Sequence, residues 1–139
     1  DLHSFPTRRS SDLKEHQYFS IYTPEREIRL KAVSCYYGEA KPIVRKTRFK
    51  SQEAFDEFVK GMIAPCSYAE TVEYPVKALY TFVTCSYEIN DARTFLFAVE
   101  ADEQGNEITA DEEYQQKMTD LMIKKAEEAE AVSKEAGKK

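Results

Sequence analysis

The sequence predicts a mostly β protein with antiparallel strands, one inserted helix and a charged C-terminal helix. Residues 27–37 alternate between apolar and charged side chains, which is the period of a half-buried strand. Before residue 105, only one segment has the apolar spacing of a helix, and its neighbours are short aromatic and β-branched runs. This order favours a fragment of a β-barrel or β-sandwich over a doubly wound α/β fold.

The strands follow from local pattern. Tyr18–Tyr22 is a short aromatic run that a Thr-Pro turn closes, and residues 27–37 form the alternating strand. Residues 43–49 could supply one more short strand. Residues 76–85 form a long apolar run, and residues 93–99 form another that is apolar enough to be covered on both faces.

The inserted helix is predicted from its cap and its apolar stripe. Ser51 is a suitable N-cap, and Pro65 marks the end of the helix. Apolar side chains recur at the spacing of one helix face, namely Phe55, Phe58, Val59 and Met62.

A second helix is predicted near the C-terminus. Thr109 to Glu112 matches a capping box, and the chain from there to Lys139 is rich in Ala, Glu and Lys. Its apolar positions end after Met122, so this helix either is a solvated tail or docks through its first half.

Composition restricts the function classes. The net charge of −5 argues against a broad nucleic-acid surface, and no apolar run approaches the about 20 residues that span a membrane. Three cysteines, Cys35, Cys66 and Cys85, are widely spaced without a C-x-x-C pair. We therefore expect no metal site and no cofactor, and a thiol redox or metal protein is the weakest of the hypotheses.

Residues 1–13 differ from the patterned chain that follows. The string DLHSFPTRRSSDL has no apolar periodicity and resembles one reading frame of a sequencing-library adapter. We therefore expect residues 1–13 to be an artefact without fold, residues 14–104 to be the domain and residues 105–139 to be a charged helical tail. His3 then drops out as a candidate, and the natural protein would continue upstream of Lys14.

Cys85 and Arg93 are the candidate chemical residues. Cys85 ends one apolar run and Arg93 opens the next. If residues 86–92 connect the strands as a hairpin, the two residues lie opposite each other, with Cβ atoms about 5 Å apart. A guanidinium at that range would favour the thiolate and could donate to a developing oxyanion. The alternative without chemistry is a buried structural thiol beside a surface arginine.

The segment TFVTC, residues 81–85, resembles the T-L-x-T-C motif of sortases, with Phe82 in place of Leu. In class B sortases a short loop and a strand that opens with the essential arginine follow the motif, and CSYEINDARTFLFAVE is similar to that segment. KSQEAFDEFVKGM lies where class B enzymes carry an inserted helix. The resemblance covers about residues 14–100 and implies an incomplete sortase-type β-barrel.

The resemblance implies a cysteine transpeptidase anchored outside the membrane of a Gram-positive bacterium. Cys85 would attack the Thr–Gly carbonyl of a sorting signal on a surface protein, and a cell-wall precursor or pilin amine would resolve the thioacyl intermediate. Arg93 would stabilise the oxyanion, and Thr84 would line the substrate groove. The sorting motif and the choice between wall anchoring and pilus assembly stay open.

The family also needs a histidine as general acid and base. His16 directly precedes a strand of the middle of the domain and is a poor match for that histidine. We therefore expect that the catalytic histidine, the first strands and the membrane anchor belong upstream of Lys14, and that this chain is inactive. The alternative is a non-catalytic β-rich binding module in which Cys85 is structural.

Overall fold

The structure is a computed structural model, and it describes residues 15–39, 42–66, 68–85 and 92–137. The expectations for residues 1–13, His3 among them, lie outside the described residues and stay predictions.

The fold is a curled, half-barrel antiparallel sheet with two helices. The sheet order is β1-β2-β5-β4, and the short strand β3 pairs with β2 beyond the end of β1. The mostly β fold class is therefore confirmed. The strands and helices have these bounds: β1 Tyr18–Tyr22, β2 Glu27–Glu39, α1 Gln52–Ile63, β3 Tyr68–Ala69, β4 Leu79–Cys85, β5 Ala92–Glu100 and α2 Glu112–Gly137.

The two central strands carry the core. β2 and β5 pair over most of their length, with a register shift between Ala32 and Ser34. β5 is buried from Phe95 to Glu100, so it is covered on both faces as predicted. On one face, α1 packs against a cluster of Val33, Val59, Val72, Val76, Phe95, Phe97 and Val99. On the other face, smaller clusters form around Leu30, Ala32, Cys35, Leu96 and Ala98.

Helix α1 begins as the sequence predicts. The backbone N–H of Ala54 donates to the Ser51 hydroxyl at 3.1 Å, which makes Ser51 the N-cap. Val59 is fully buried, and the other members of the predicted stripe, Phe55, Phe58 and Met62, are half-buried against the same cluster. The helix thus fixes one face of the sheet.

The predicted strand within residues 43–49 is wrong. Pro42–Arg45 is a turn of 3₁₀ helix, and residues 46–50 have no regular structure. Phe49 packs on α1 instead, with its ring centroid 5.0 Å from that of Phe55 and 4.9 Å from that of Phe58. The apolar side chain that suggested a strand is therefore buried without a strand partner.

The strand predicted from Val76 begins three residues later, at Leu79. Side chains of α1 bond the backbone of Val76: its N–H donates to Asp56 Oδ1 at 3.0 Å, and its carbonyl accepts from Gln52 Nε2 at 2.8 Å. Because these side chains occupy the backbone groups, Val76 makes only an isolated bridge, to Thr109.

The cap of α2 is Asp111 rather than Thr109. The N–H of Tyr114 donates to Asp111 Oδ1 at 2.7 Å, and the helix starts at Glu112. Thr109 is still extended, because it pairs with Val76. The predicted capping box was therefore wrong by two residues.

The first turns of α2 contact the domain. The Tyr114 hydroxyl donates to the carbonyl of Lys77 at 3.1 Å, and Lys77 Nζ lies 5.5 Å from the Tyr114 ring centroid. Met118 and Met122 are half-buried, whereas every described residue from 123 onward is exposed. The helix thus combines the two alternatives, a docked beginning and a solvated remainder.

Candidate active site

The register of β4 and β5 places Cys85 directly opposite Arg93. The two strands are antiparallel, and their seven cross-strand pairs run from Leu79 with Val99 to Cys85 with Arg93. The connecting residues 86–91 lie outside the described residues. The apposition predicted from the two apolar runs is therefore confirmed at the level of the backbone.

Cys85 is the exposed cysteine of the three. It lies at the last position of β4, where the sheet ends, whereas Cys35 is 1% exposed in the middle of β2. Cys66 is half-buried after α1, and its thiol donates to the carbonyl of Met62 at 3.3 Å. None of the three forms a disulfide. A reagent or substrate in solution can therefore reach Cys85 while the domain stays folded. A structural thiol packed in the core would not be accessible in this way.

Arg93 is half-buried and is held by its own strand. Its Nη1 donates to the carbonyl of Ala92 at 2.9 Å. A guanidinium has five N–H donors, and within the described residues this is the one hydrogen bond that its side chain makes. The remaining donors of Arg93 make no hydrogen bond to the described residues.

Cys85 and Arg93 belong to a row that continues onto β2. Gly38 is the cross-strand partner of Arg93 on its other side, so the row runs Cys85, Arg93, Gly38 across three strands. A side chain at position 38 would collide with Tyr36, because its Cβ would lie 2.5 Å from the Tyr36 hydroxyl. The Tyr36 ring in turn lies 5.8 Å from that of Phe95.

Sequence reasoning missed Tyr36 and Gly38, because their place beside Arg93 depends on the β2–β5 register. The Tyr-Tyr-Gly end of an alternating strand was the available signal. The row lies on the face that α1 covers. Arg93 is two residues before Phe95 and four before Phe97, which belong to the α1 cluster, and strand residues at this spacing share a face. The candidate site is therefore the end of the α1 face of the sheet.

Thr84 does not share this face. Its cross-strand partner is Thr94, and adjacent strand residues point to opposite faces. Thr84 is half-buried on the face opposite Cys85. The structure thus brings Cys85 and Arg93 together, whereas Thr84 adjoins them in the chain but lies on the other face. The predicted role of Thr84 at a substrate groove stays a prediction.

His16 lies far from Cys85. β1 and β4 are at opposite edges of the main sheet path. Tyr18, two residues after His16, belongs to the row of cross-strand partners that ends at Leu79, at the other end of β4. Six residues of strand correspond to about 20 Å. His16, the one histidine among residues 15–39, 42–66, 68–85 and 92–137, is therefore not placed to act on Cys85.

The charged side chains that the fold buries lie in two other clusters. Glu100 is buried between Arg26 Nη1 at 3.0 Å and Lys77 Nζ at 3.7 Å, and its hydrogen bond and charge raise the pKa of Arg26. In the second cluster, the Tyr68 hydroxyl donates to Glu70 at 2.5 Å.

Burial, with the adjacent carboxylate, raises the pKa of Tyr68 to about 12. Lys31 Nζ lies between Glu70 at 3.9 Å and Glu107 at 3.6 Å. These contacts join β2, β3, β5, the turn that precedes β2 and the approach to α2, so the two clusters stabilise the scaffold.

Metal clusters and membrane-spanning helices are both absent from the part of the chain that the structure describes. Among the described residues, no group of three His, Cys, Asp or Glu side chains is arranged to hold a metal ion. None of the described helices combines the length and the apolar character that crossing a bilayer requires.

Comparison with known proteins finds similarity in structure rather than in sequence. No protein-family model and no curated protein matches the chain. Sortase B from the type II pilus of Streptococcus pneumoniae superposes with a TM-score of 0.62 at 14% identity, over 68% of this chain and 56% of that one.

Three further sortase B structures show the same likeness. A mutant form of Clostridium perfringens sortase B gives a TM-score of 0.61 at 19% identity, over 68% of this chain and 47% of that one. Sortase B in complex with triglycine, and Staphylococcus aureus sortase B in complex with a substrate, each give 0.60 at 18% identity, over 69% and 46%. The chain spans about half the length of these proteins, and the likeness shows a sortase-like fold.

Proposed function

We propose that this chain is part of a class B sortase-type cysteine transpeptidase. The observation that carries the proposal is the exposed Cys85 at the end of β4, directly opposite Arg93, in a sortase-like half-barrel. A strand-end thiol that solvent reaches, with a cation on the neighbouring strand, combines a nucleophile with a partner for developing negative charge. The exposure of Cys85 argues against the alternative of a binding module with a structural thiol.

In the first step, the Cys85 thiolate attacks the carbonyl carbon of the Thr–Gly bond in a sorting signal. The carbonyl oxygen becomes an oxyanion as the S–C bond forms. The C–N bond then breaks, the glycine amine leaves with a proton, and the threonine carbonyl stays on Cys85 as a thioester. Covalent catalysis of this kind divides one difficult step into two easier ones.

Arg93 would stabilise the oxyanion. Its guanidinium donates to the Ala92 carbonyl at 2.9 Å, and a rotation of the side chain exchanges that neutral acceptor for the charged oxygen. Hydrogen bonds to an ionised acceptor are about twice as strong as neutral ones. The exchange is therefore favoured only while the oxyanion exists, which is the condition for lowering the barrier.

In the second step, an amine of a cell-wall precursor or of a pilin attacks the thioester. The new amide bond forms, Cys85 leaves as a thiolate, and the amine loses a proton. The triglycine complex of sortase B supports an amine acceptor of this type. We place the whole protein on the outer face of a Gram-positive cell membrane, held by an anchor, with sorting-signal-bearing surface proteins as its substrates.

Amide cleavage also needs a group that takes the thiol proton and gives a proton to the leaving amine. His16 lies at the far edge of the sheet, and no other described residue is a histidine. We therefore expect the 139-residue chain to cleave Thr–Gly amides very slowly. A threonyl thioester releases a thiolate, which needs no proton. Acylation by such a thioester therefore tests Cys85 and Arg93 without the group that amide cleavage requires.

The test is acylation of the chain by peptides that end in a threonyl thioester, followed by intact mass. We expect one acyl group on Cys85, none on Cys85→Ala, and acylation about 100-fold slower for Arg93→Gln. Cys66→Ala and Arg29→Gln are matched controls, a half-buried thiol and an exposed strand arginine away from the site. Acylation that survives Cys85→Ala, or that slows equally in Arg29→Gln and Arg93→Gln, would rule out the mechanism.

A further inference from the structure

A groove lies between residues 46–50 and α2, where its lining runs from Tyr114 to Ala129; we call it the basic groove. It consists of two adjoining cavities of about 270 and 350 Å³. Phe49, Met118 and Met122 line both cavities and so form the wall that they share. The groove lies away from Cys85, which lines neither cavity.

The floor of the groove is apolar and is held in place. Phe55 and Leu79 line the first cavity together with the shared wall. Phe49 is fixed by ring contacts with Phe55 and Phe58 at about 5 Å. Methionine is unbranched and polarisable, so Met118 and Met122 adapt to a flexible apolar chain.

The rim of the groove carries only positive charge. Lys46 and Lys77 line the first cavity, and Arg48, Lys50 and Lys125 line the second. No Asp or Glu lines either cavity, although the chain has 25 acidic and 20 basic residues. Lys77 pairs with Glu100 at 3.7 Å, whereas the other four cations form no ion pair with a carboxylate within the described residues.

We propose that the basic groove binds a single-chain anionic lipid, a function separate from the chemistry of Cys85. The acidic head group lies in the second cavity against Arg48, Lys50 and Lys125. The acyl chain passes Phe49 and enters the first cavity beside Phe55. An unpaired cation cluster at one end of an apolar channel matches a molecule with one charged end and one apolar end.

The dimensions favour an acyl chain over an acidic amphipathic helix. A helix with its side chains is about 10–12 Å across, whereas Phe49 divides the groove into two small compartments. A single methylene chain can bend around that ring, but a helix would have to displace it and break its contacts with α1.

The test is a titration of the purified chain with cis-parinaric acid, a fatty acid whose fluorescence rises in apolar surroundings, below its micelle concentration. We expect saturable binding of one equivalent, displaced by lysophosphatidylglycerol but not by a neutral long-chain alcohol. Arg48→Glu combined with Lys50→Glu should raise the Kd about tenfold. Lys117→Glu combined with Lys124→Glu, on the exposed face of α2, should change it less than about twofold.

Two further variants test whether the apolar wall, and not Cys85, contributes to lipid binding. Met122→Glu puts a carboxylate in the shared wall and should abolish binding while the circular dichroism spectrum is retained, and Cys85→Ala should leave binding unchanged. Equal effects of the two charge-reversal pairs, or displacement by the neutral alcohol, would overturn the anionic-lipid assignment. Displacement by an acidic amphipathic peptide but not by lysophosphatidylglycerol would overturn it in favour of a protein partner.

Discussion

The exposure of the three thiols predicts their order of reaction with iodoacetamide. Cys85 is exposed, so it should react at the rate of a free thiol in a peptide. Cys35 is 1% exposed in a central strand, so it reacts only when the domain unfolds. With a free energy of unfolding of about 5 kcal/mol, about one molecule in 5,000 is open at any time. Cys35 should therefore be alkylated about 5,000-fold more slowly than Cys85.

Urea provides an internal check on that factor. The alkylation rate of Cys35 should rise with urea as the free energy of unfolding falls, whereas that of Cys85 should barely change. Cys66, half-buried at the end of α1, should lie between the two. The assay is time-resolved peptide mapping, with Cys85→Ser as the control that removes the fast phase. A Cys85 that is protected in the folded chain and follows the urea dependence of Cys35 would refute this reasoning and favour a structural thiol.

Two further predictions concern the scaffold that holds the site. Val59→Ala removes two carbons from a fully buried position of α1 and should lower the free energy of unfolding by about 2–3 kcal/mol in urea denaturation. The control Val132→Ala, at a position of α2 that is 66% exposed, should change it by less than about 0.5 kcal/mol. Similar losses in the two variants would contradict the packing of α1. The pKa of Tyr68 is raised from 10.0 to about 12, so the folded state keeps a proton that the unfolded state loses, and stability should fall as the pH rises through that window. Tyr68→Phe should make this fall smaller, and an unchanged pH profile of the urea midpoint would contradict it.

Much of the sheet could be predicted because its signals are local. The alternation of residues 27–37 corresponds to β2, and the continuous apolar run of residues 93–99 corresponds to the doubly covered β5. The Ser51 cap and the stripe of α1 are likewise set by neighbours in sequence. These elements could be predicted because the sequence period and the burial pattern agree.

The errors arose where tertiary contacts replaced local signals. Phe49 suggested a strand but packs on α1, and Val76 belongs to a strand-like run whose backbone is bonded by Gln52 and Asp56. The start of α2 was misplaced because Thr109 is paired with Val76, which leaves capping to Asp111. For Val76 and Thr109 the deciding partner is distant in sequence, and for Phe49 it is the neighbouring helix.

Part of the candidate site could likewise be predicted from the sequence, and part could not. The apposition of Cys85 and Arg93 could be predicted because both residues flank one short connection. The row beyond Arg93, with Gly38 under the Tyr36 hydroxyl, could not, because it depends on pairing between strands that are far apart in sequence. The basic groove likewise needed the position of α2 against residues 46–50.

The most direct test of the proposed site is a crystal structure of the chain with a peptide aldehyde that ends in threoninal, joined to Cys85 as a tetrahedral thiohemiacetal whose oxygen occupies the place of the oxyanion. We expect the guanidinium of Arg93 to leave the carbonyl of Ala92 and to donate to that oxygen, with N···O about 2.9 Å. A guanidinium that stays on the Ala92 carbonyl, with the thiohemiacetal oxygen turned away from β5, would contradict the assignment of Arg93 as the oxyanion partner of Cys85.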